Sequence, residues 1–255
     1  VSAFAGNNYL IDLDALVADG LLTLDEIRSV NWGNNDEDID YASMYTNRTK
    51  ILRIAFSRFD ITSNAYEEFV QNNHYWLDDY ALFRALKKYH NDKEWTLWEN
   101  CYKNREPKAL EAISQELAES IEFYKFCQFE FFFQWQKLLS YANQKGLSII
   151  GDIPFYVAHD SSDVWAHKEL FQLLSDGTPR LVSAVPPDAF SSTGQIWGSP
   201  VYDWNEMELQ GFDWWKSRFA MASKLFNVIR LDHFIAIVKY FAVNPASSSS
   251  IAGRW

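Results

Sequence analysis

Asp152, Arg230, Asp232 and His233 are the residues whose types and spacing could do chemistry. Asp232 closes the apolar run Phe226-Asn227-Val228-Ile229-Arg230-Leu231. A short apolar run fed by a helical segment predicts a buried parallel strand opening onto a site at its C-terminal end. Side chains at such strand ends reach ligand, whereas those further back pack in the core. Arg230 and Asp232 are two apart and share a strand face, so they read equally as an ion pair at a sheet end or as a carboxylate kept ionised for nucleophilic work. A second run, Gly146-Leu147-Ser148-Ile149-Ile150-Gly151, ends at Asp152 in the same way.

Two carboxylates near an Arg and a His suit glycosidic-bond chemistry. There a carboxylate nucleophile and a protonated acid stand about 5 to 5.5 Å apart when configuration is retained. His233 can donate to a sugar hydroxyl. Residues 186–200, rich in Pro, Ser and Gly yet holding Phe190, Gln195 and Trp197, form a long loop of the kind that carries function, with Trp197 able to floor a subsite.

Helices must position these groups. Thr23 and Glu26 have capping-box spacing. A helix with a basic face is expected over 45–59, one capped by Ser63 carries Tyr66, Phe69, Trp76, Tyr80 and Phe83, and the strongest runs from Pro107 to Lys145, stopped by Gly146. The aromatic run from Phe126 to Trp135 covers more than one face and predicts burial on two sides. Residues 34–41 form an acidic loop, Asp160 to Asp163 cap a short helix through Leu170, Ser175-Asp176-Gly177-Thr178 turns a hairpin between 171–174 and 180–185, and 212–225 is helical. The fold class is α/β and helix-rich, a partial (β/α)8 barrel with inserted helical subdomains. Residues 1–22 are a barrel loop segment, 23–125 an inserted helical subdomain, and 126–255 a barrel segment with two βα units and a substrate loop at 171–200. Both chain ends read as incomplete, and there is no internal repeat.

Composition removes several classes of function. The 255 residues carry a net charge of −11, from 23 basic against 34 acidic groups, with no basic stripe for nucleic acid or anionic lipid. Aromatic residues at 17% are mostly core, though Trp and Tyr also offer faces to sugar rings. Cys101 and Cys127 lack CxxC spacing and read as free thiols of a reducing, cytoplasmic compartment. No signal peptide is evident, nor an apolar run near the about 18 residues of a membrane span. The histidines at 74, 90, 159, 167 and 233 include no i, i+4 metal pair; His159 is expected to face solvent and His167 to cap. Neither a GxGxxG nor a P-loop is present.

Four blocks carry a resemblance: Ser-Ala-Phe-Ala-Gly-Asn at 2–7, Gly-Asp-Ile-Pro-Phe-Tyr-Val-Ala-His-Asp-Ser-Ser-Asp-Val-Trp at 151–165, Val-Pro-Pro-Asp-Ala-Phe-Ser-Ser-Thr-Gly-Gln-Ile-Trp-Gly-Ser-Pro at 185–200 and Arg-Leu-Asp-His-Phe at 230–234. In this order the sequence resembles the 4-α-glucanotransferases, the amylomaltase or disproportionating enzymes of glycoside hydrolase family 77. The resemblance implies a retaining transfer of a glucan segment between maltooligosaccharides inside a decorated barrel, without metal or organic cofactor. It makes Asp232 the nucleophile with Arg230 beside it, and Asp152, His233, Phe190, Gln195 and Trp197 substrate-binding residues. Ile235-Ala236 replace the family's Arg-Gly, and Ala189 stands where many members carry an aromatic. The family's acid/base Glu and its transition-state-stabilising Asp fall beyond Trp255, and losing such an acid costs about 100- to 10,000-fold. A non-catalytic glucan-binding module and a hydrolase of the same clan are the rival readings.

Overall fold

The computed structural model describes residues 2–33 and 37–255. Residues 34–36 of the acidic loop lie outside them. Ten α-helices occur among the described residues: α1 (Leu13–Ala18), α2 (Leu24–Arg28), α3 (Tyr41–Phe56), α4 (Asn64–Tyr89), α5 (Asn100–Lys103), α6 (Pro107–Glu116), α7 (Ala118–Gln144), α8 (Ser162–Ala166), α9 (Trp204–Leu209) and α10 (Asp213–Leu225). Five short strands accompany them: β1 (Ile150–Ile153), β2 (Val182–Val185), β3 (Gln195–Pro200), β4 (Val228–Leu231) and β5 (Phe241–Val243). The result is a helix-rich α/β arrangement. The described residues do not close a barrel: β1 and β4 make a parallel pair, and β3-β2-β5 make a separate antiparallel sheet.

Helix ends follow local chemistry. Thr23 and Glu26 complete the reciprocal capping box of α2. Asp40 accepts from the Ser43 N–H and so starts α3 at Tyr41, four residues before the position expected from periodicity. Pro107 opens α6, but α6 and α7 are separated at Leu117, where the backbone departs to φ −96° and ψ 14°. The Leu117 N–H donates to the Ile113 carbonyl and its carbonyl accepts from the Ile121 N–H, so the expected single helix is two helices that meet at this residue. Gly146, at φ +75°, ends α7, with the Leu147 N–H returning to the Ala142 carbonyl.

The largest hydrophobic cluster runs from Phe4 to Ala236 and is dominated by α4 against α7. Trp76 meets Phe132 at 5.9 Å, and Tyr66 meets Phe129 at 5.5 Å. On another face of α7, Phe131 stacks with Trp135, whose indole donates to the Leu225 carbonyl at the end of α10. The helix thus packs on two sides. Its continuity places the expected division at 125/126 inside α7.

The turn at Ser175–Thr178 forms, with Gly177 at φ +89°, but its arms meet only at the Leu173–Pro179 bridge among the described residues. Residues 182–185 pair instead with β3 and β5, so the last part of the expected 186–200 loop is a strand. β4 is likewise not the buried strand its apolar run predicts: Val228 and Arg230 are exposed while Ile229 and Leu231 face the core.

Glu130 is a buried carboxyl on α7 with Oε2 unpartnered among the described residues. Burial, helped by Asp19 and opposed by Lys137 and Gln134, pushes its pKa up to about 7. Because the folded state holds this proton more tightly than the unfolded chain, stability falls as pH rises from about 4.5 through 7 and levels off above. Glu130→Gln is expected to abolish that slope and to raise stability at pH 8 by about 2 kcal/mol, read from urea denaturation at pH 5 and pH 8.

Candidate functional site

The parallel register sets Ile150 beside Val228, Gly151 beside Ile229, Asp152 beside Arg230 and Ile153 beside Leu231. Side chains alternate along a strand, so Asp152, Arg230 and the next even position, Asp232, fall on one face. That face is exposed, and Gly151, Ile153, Ile229 and Leu231 turn to the core. On the core side the Phe226 ring lies directly over Gly151; a Cβ there would come within 2.0 Å of it.

Arg230 does not turn its guanidinium fork on Asp232. Its Nε donates to Asp152 Oδ1 at 3.0 Å and its Nη2 to Asp152 Oδ2, a bidentate clamp across the strand pair. The hydrogen-bonded guanidinium holds the Asp152 carboxyl below its usual value, and Asp152 in turn raises Arg230. Asp232 interacts with Arg230 only through space and more weakly. Asp152 lies within β1 rather than beyond it. Asp232 is the first residue after β4, exposed, with its N–H donating to the Ile153 carbonyl at 3.0 Å.

His233 adopts a left-handed backbone, φ 50° and ψ 44°, uncommon for a residue with a side chain. This turn swings its ring away from Asp232 and onto Trp197, edge to face at 4.9 Å. Its Nε2 is sealed from solvent and unpartnered among the described residues. Trp197 and Gln195 share a face of β3, with the indole N–H donating to Gln195 Oε1 at 3.1 Å. Phe190 sits apart, 95% exposed, in the segment joining β2 to β3, where Asp188 accepts the backbone N–H of Phe190 and Ser191. Ser250 ties the base of that segment to Val185 and Thr193. The structure therefore gathers Asp152, Arg230 and Asp232 on one face and brings Trp197, Gln195 and His233 together. It leaves Phe190 at a projecting tip.

Tyr156 escapes a reading of the sequence. Its ring meets Trp197 and His233, each at 6.2 Å, and stacks on buried Tyr202. Its hydroxyl is buried without a partner among the described residues, and burial raises its pKa. Nothing in composition marks this tyrosine; only its place two residues past Pro154, on the continuation of β1, could have done so. His159 does not face solvent as expected. Its Nε2 lies 2.8 Å from the Gly177 carbonyl, and its ring rests near Trp95. His167 sits at the C-cap of α8.

A neutralised Asp–Arg pair, a free carboxylate, an indole face and an imidazole are groups that recognise a polyhydroxylated ring and attack an electrophilic carbon. With the strand pair set against helices, they belong to a helix-rich α/β protein. Comparison with known proteins gives the family. Residues 1–255 match the model described as 4-alpha-glucanotransferase. A 4-alpha-glucanotransferase of Clostridium butyricum is 42% identical over 256 residues, covering 100% of this chain and 53% of the relative. One from Thermus thermophilus is 40% identical, covering 100% and 51%. The solved structure of amylomaltase from Streptococcus agalactiae in complex with acarbose superposes with a TM-score of 0.94 at 35% identity, covering 99% of this chain and 52% of that one. The chain belongs to the 4-α-glucanotransferase family, glycoside hydrolase family 77. It spans about half the length of the curated relatives it matches.

Two outcomes test the geometry. The Asp152 side-chain carbonyl, followed by carbon NMR, should titrate below the usual aspartate range in the parent and move back up toward it in Arg230→Gln. Tyr156→Phe should leave stability unchanged within about 1 kcal/mol, because the hydroxyl it removes is unpartnered. Tyr156→Ala, which deletes the ring under Trp197 and His233, should cost about 2–5 kcal/mol in urea denaturation.

Proposed function

We propose that the protein containing this chain is a 4-α-glucanotransferase that moves a 4-α-glucan segment between maltooligosaccharides with retention of configuration. Asp232 attacks the anomeric carbon. The C1–O bond to the leaving glucan breaks as a carboxylic acid from outside these residues protonates the departing oxygen, and a glucosyl-aspartate results. In the second half, the same group takes the proton of an acceptor 4-hydroxyl as that oxygen attacks C1 and releases Asp232. Arg230 and Asp152 shape the polar face beside the nucleophile. His233, Gln195, Trp197 and Phe190 contact the glucan, and the β2–β3 segment limits water so that a sugar acceptor wins over hydrolysis.

The observation that carries this reading is the exposed Asp232 carboxylate, on the open strand face shared with the Asp152–Arg230 clamp, in a chain that matches the family throughout. The Streptococcus agalactiae amylomaltase holds acarbose in its complex, which supports a glucan-like ligand as the occupant here. The open face of β1 and β4, with Ile150 at 66% and Val228 at 50% exposure, suits the inner wall of a (β/α)8 barrel completed by further strands. A cytoplasmic location agrees with the free Cys101 and Cys127. No helix among the described residues is long and apolar enough to cross a membrane.

Full-length protein given maltotriose should produce glucose together with longer oligosaccharides; glucose and maltose alone would point to hydrolysis. Asp232→Asn should lower turnover by about 10³-fold or more. Retention of maltotriose turnover in that variant would remove Asp232 from the nucleophile role. Trp197→Ala should raise KM by about 3- to 10-fold, the scale of one stacking contact.

A further inference from the structure

Residues Ser247 to Ser250 are four serines in a row just past β5, and the last of them is fully buried. Its surroundings account for a polar residue there. The Ser250 Oγ lies 2.6 Å from the Val185 carbonyl and 2.9 Å from the Thr193 carbonyl, so one hydroxyl proton serves both acceptors. The Ser250 N–H also donates to Thr193 at 3.2 Å, and the Ser249 hydroxyl donates to the same carbonyl at 3.2 Å. Val185 is the last residue of β2, and Thr193 stands two residues before β3. One side chain therefore holds both stems of the connection between those strands.

The contact is close. A Cβ at Gly194 would come within 1.8 Å of the Ser250 Oγ and 2.3 Å of the Val185 oxygen, and the φ of +66° there disfavours a side chain in any case. Ser250 is itself held from behind: the Gly253 N–H donates to its carbonyl at 2.8 Å, and Arg254 exchanges both backbone hydrogen bonds with Ala242 on β5. Since β5 pairs with β2, the clamp is anchored on the sheet. The connection, by contrast, is bonded mainly to itself. Asp188 accepts from the backbone N–H of Phe190 and Ser191, and the Ser191 hydroxyl donates to the Gly194 carbonyl. Among the described residues, the hydrogen bonds that leave 186–194 run to Ser249 and Ser250. A loop braced internally and held at its base moves as a unit, so the base sets where the tip stands. That tip carries Phe190, and the far stem runs into Gln195 and Trp197, with Trp197 4.9 Å from His233, the neighbour of Asp232.

We propose that Ser250 is a positioning residue for the transfer step: its hydroxyl holds the β2–β3 connection where Phe190 and Trp197 keep an acceptor sugar, rather than water, beside the glucosyl-aspartate. This rests on the function proposed above for Asp232 and the connection. Ser250 acts through the loop, and removing its hydroxyl leaves two buried carbonyls short of a donor, which favours displaced positions of the loop.

Full-length protein given maltotriose reports the effect, because transfer leaves the number of reducing ends unchanged and hydrolysis adds one for every bond broken. In Ser250→Ala the reducing ends gained per glucose released should rise about fivefold, the equivalent of one hydrogen bond, while glucose release at saturating maltotriose stays within about twofold of the parent. Chymotrypsin cleavage after Phe190, which needs no activity, should quicken by a similar factor. Ser250→Thr keeps the hydroxyl and should match the parent in both readouts. A parent-like balance of reducing ends in folded Ser250→Ala would overturn the proposal, whether or not cleavage quickens. Net hydrolysis by the parent would instead overturn the transferase reading, and unchanged cleavage at Phe190 in Ser250→Ala would then overturn the clamp as well. Should circular dichroism show Ser250→Ala unfolded, Ser249→Ala, which removes a half-buried donor from the Thr193 carbonyl, decides by the same balance.

Discussion

The constraint on which the candidate site depends is the pairing register of two four-residue strands. A strand has a period of two, so a slip of one residue would send Asp152 into the core and bring Gly151 onto the open face. Phe226 opposes that slip, because its ring occupies the space that any side chain at Gly151 would need. The Asp152–Arg230 clamp adds a directional contact on the other face. Packing below and an ion pair above therefore select the same alignment, and Asp232 follows from it by parity. An exposed ion pair contributes little to stability. Its consequence here is geometric: the guanidinium belongs to Asp152, which leaves the Asp232 oxygens without a bidentate partner.

Hydrogen bonds tie the elements around that pair to one another. Trp135 on α7 donates to the carbonyl that ends α10, so the helix leading into β4 is tethered to the longest rod in the molecule. Gln128, fully buried on the same helix, grips the N-terminal segment at Gly6 and Asn8. The Ala3 N–H donates to Asp163 on α8, which binds the first and second sequence blocks to each other. Burial raises the Asp163 pKa, and the Ala3 hydrogen bond works against that rise. Blocks far apart in sequence are thus joined through buried polar contacts with few alternative partners, and such contacts define one arrangement more narrowly than apolar packing does.

Helix chemistry and the two Asp-bearing strands are legible in the sequence because they rest on local rules. Thr23 with Glu26, Pro107 and Gly146 each act within four residues of themselves. Pairing is less legible. Residues 195–200 read as loop because Gly194, Gly198 and Pro200 punctuate them, yet two of these merely bend a strand whose partner, β2, lies across a nine-residue connection. The partner of Arg230 is obscured for the same reason: Asp232 is near in sequence, whereas Asp152 is near only after a parallel crossover of some 78 residues. Tyr156 and the left-handed His233 are invisible in kind. Their roles arise from where a turn sends a ring, and one sequence without relatives carries no sign of that.

The strand face also shows why a charged site can sit beside exposed apolar residues. Asp152 and Arg230 cancel, so the group Asp152, Arg230 and Asp232 carries one net negative charge, among the exposed Ile150, Val228 and Phe234. In water that charge is well screened. Covering the face with further protein would leave the cancelled pair nearly neutral to its surroundings while making the field of the third carboxylate much stronger. Had Arg230 paired with Asp232 instead, the same desolvation would strengthen a salt bridge that the proposed attack would have to break. Choosing Asp152 as the partner separates the two carboxylates: one restrains the cation, and the other stays unclamped, which is the condition the proposed nucleophilic role requires.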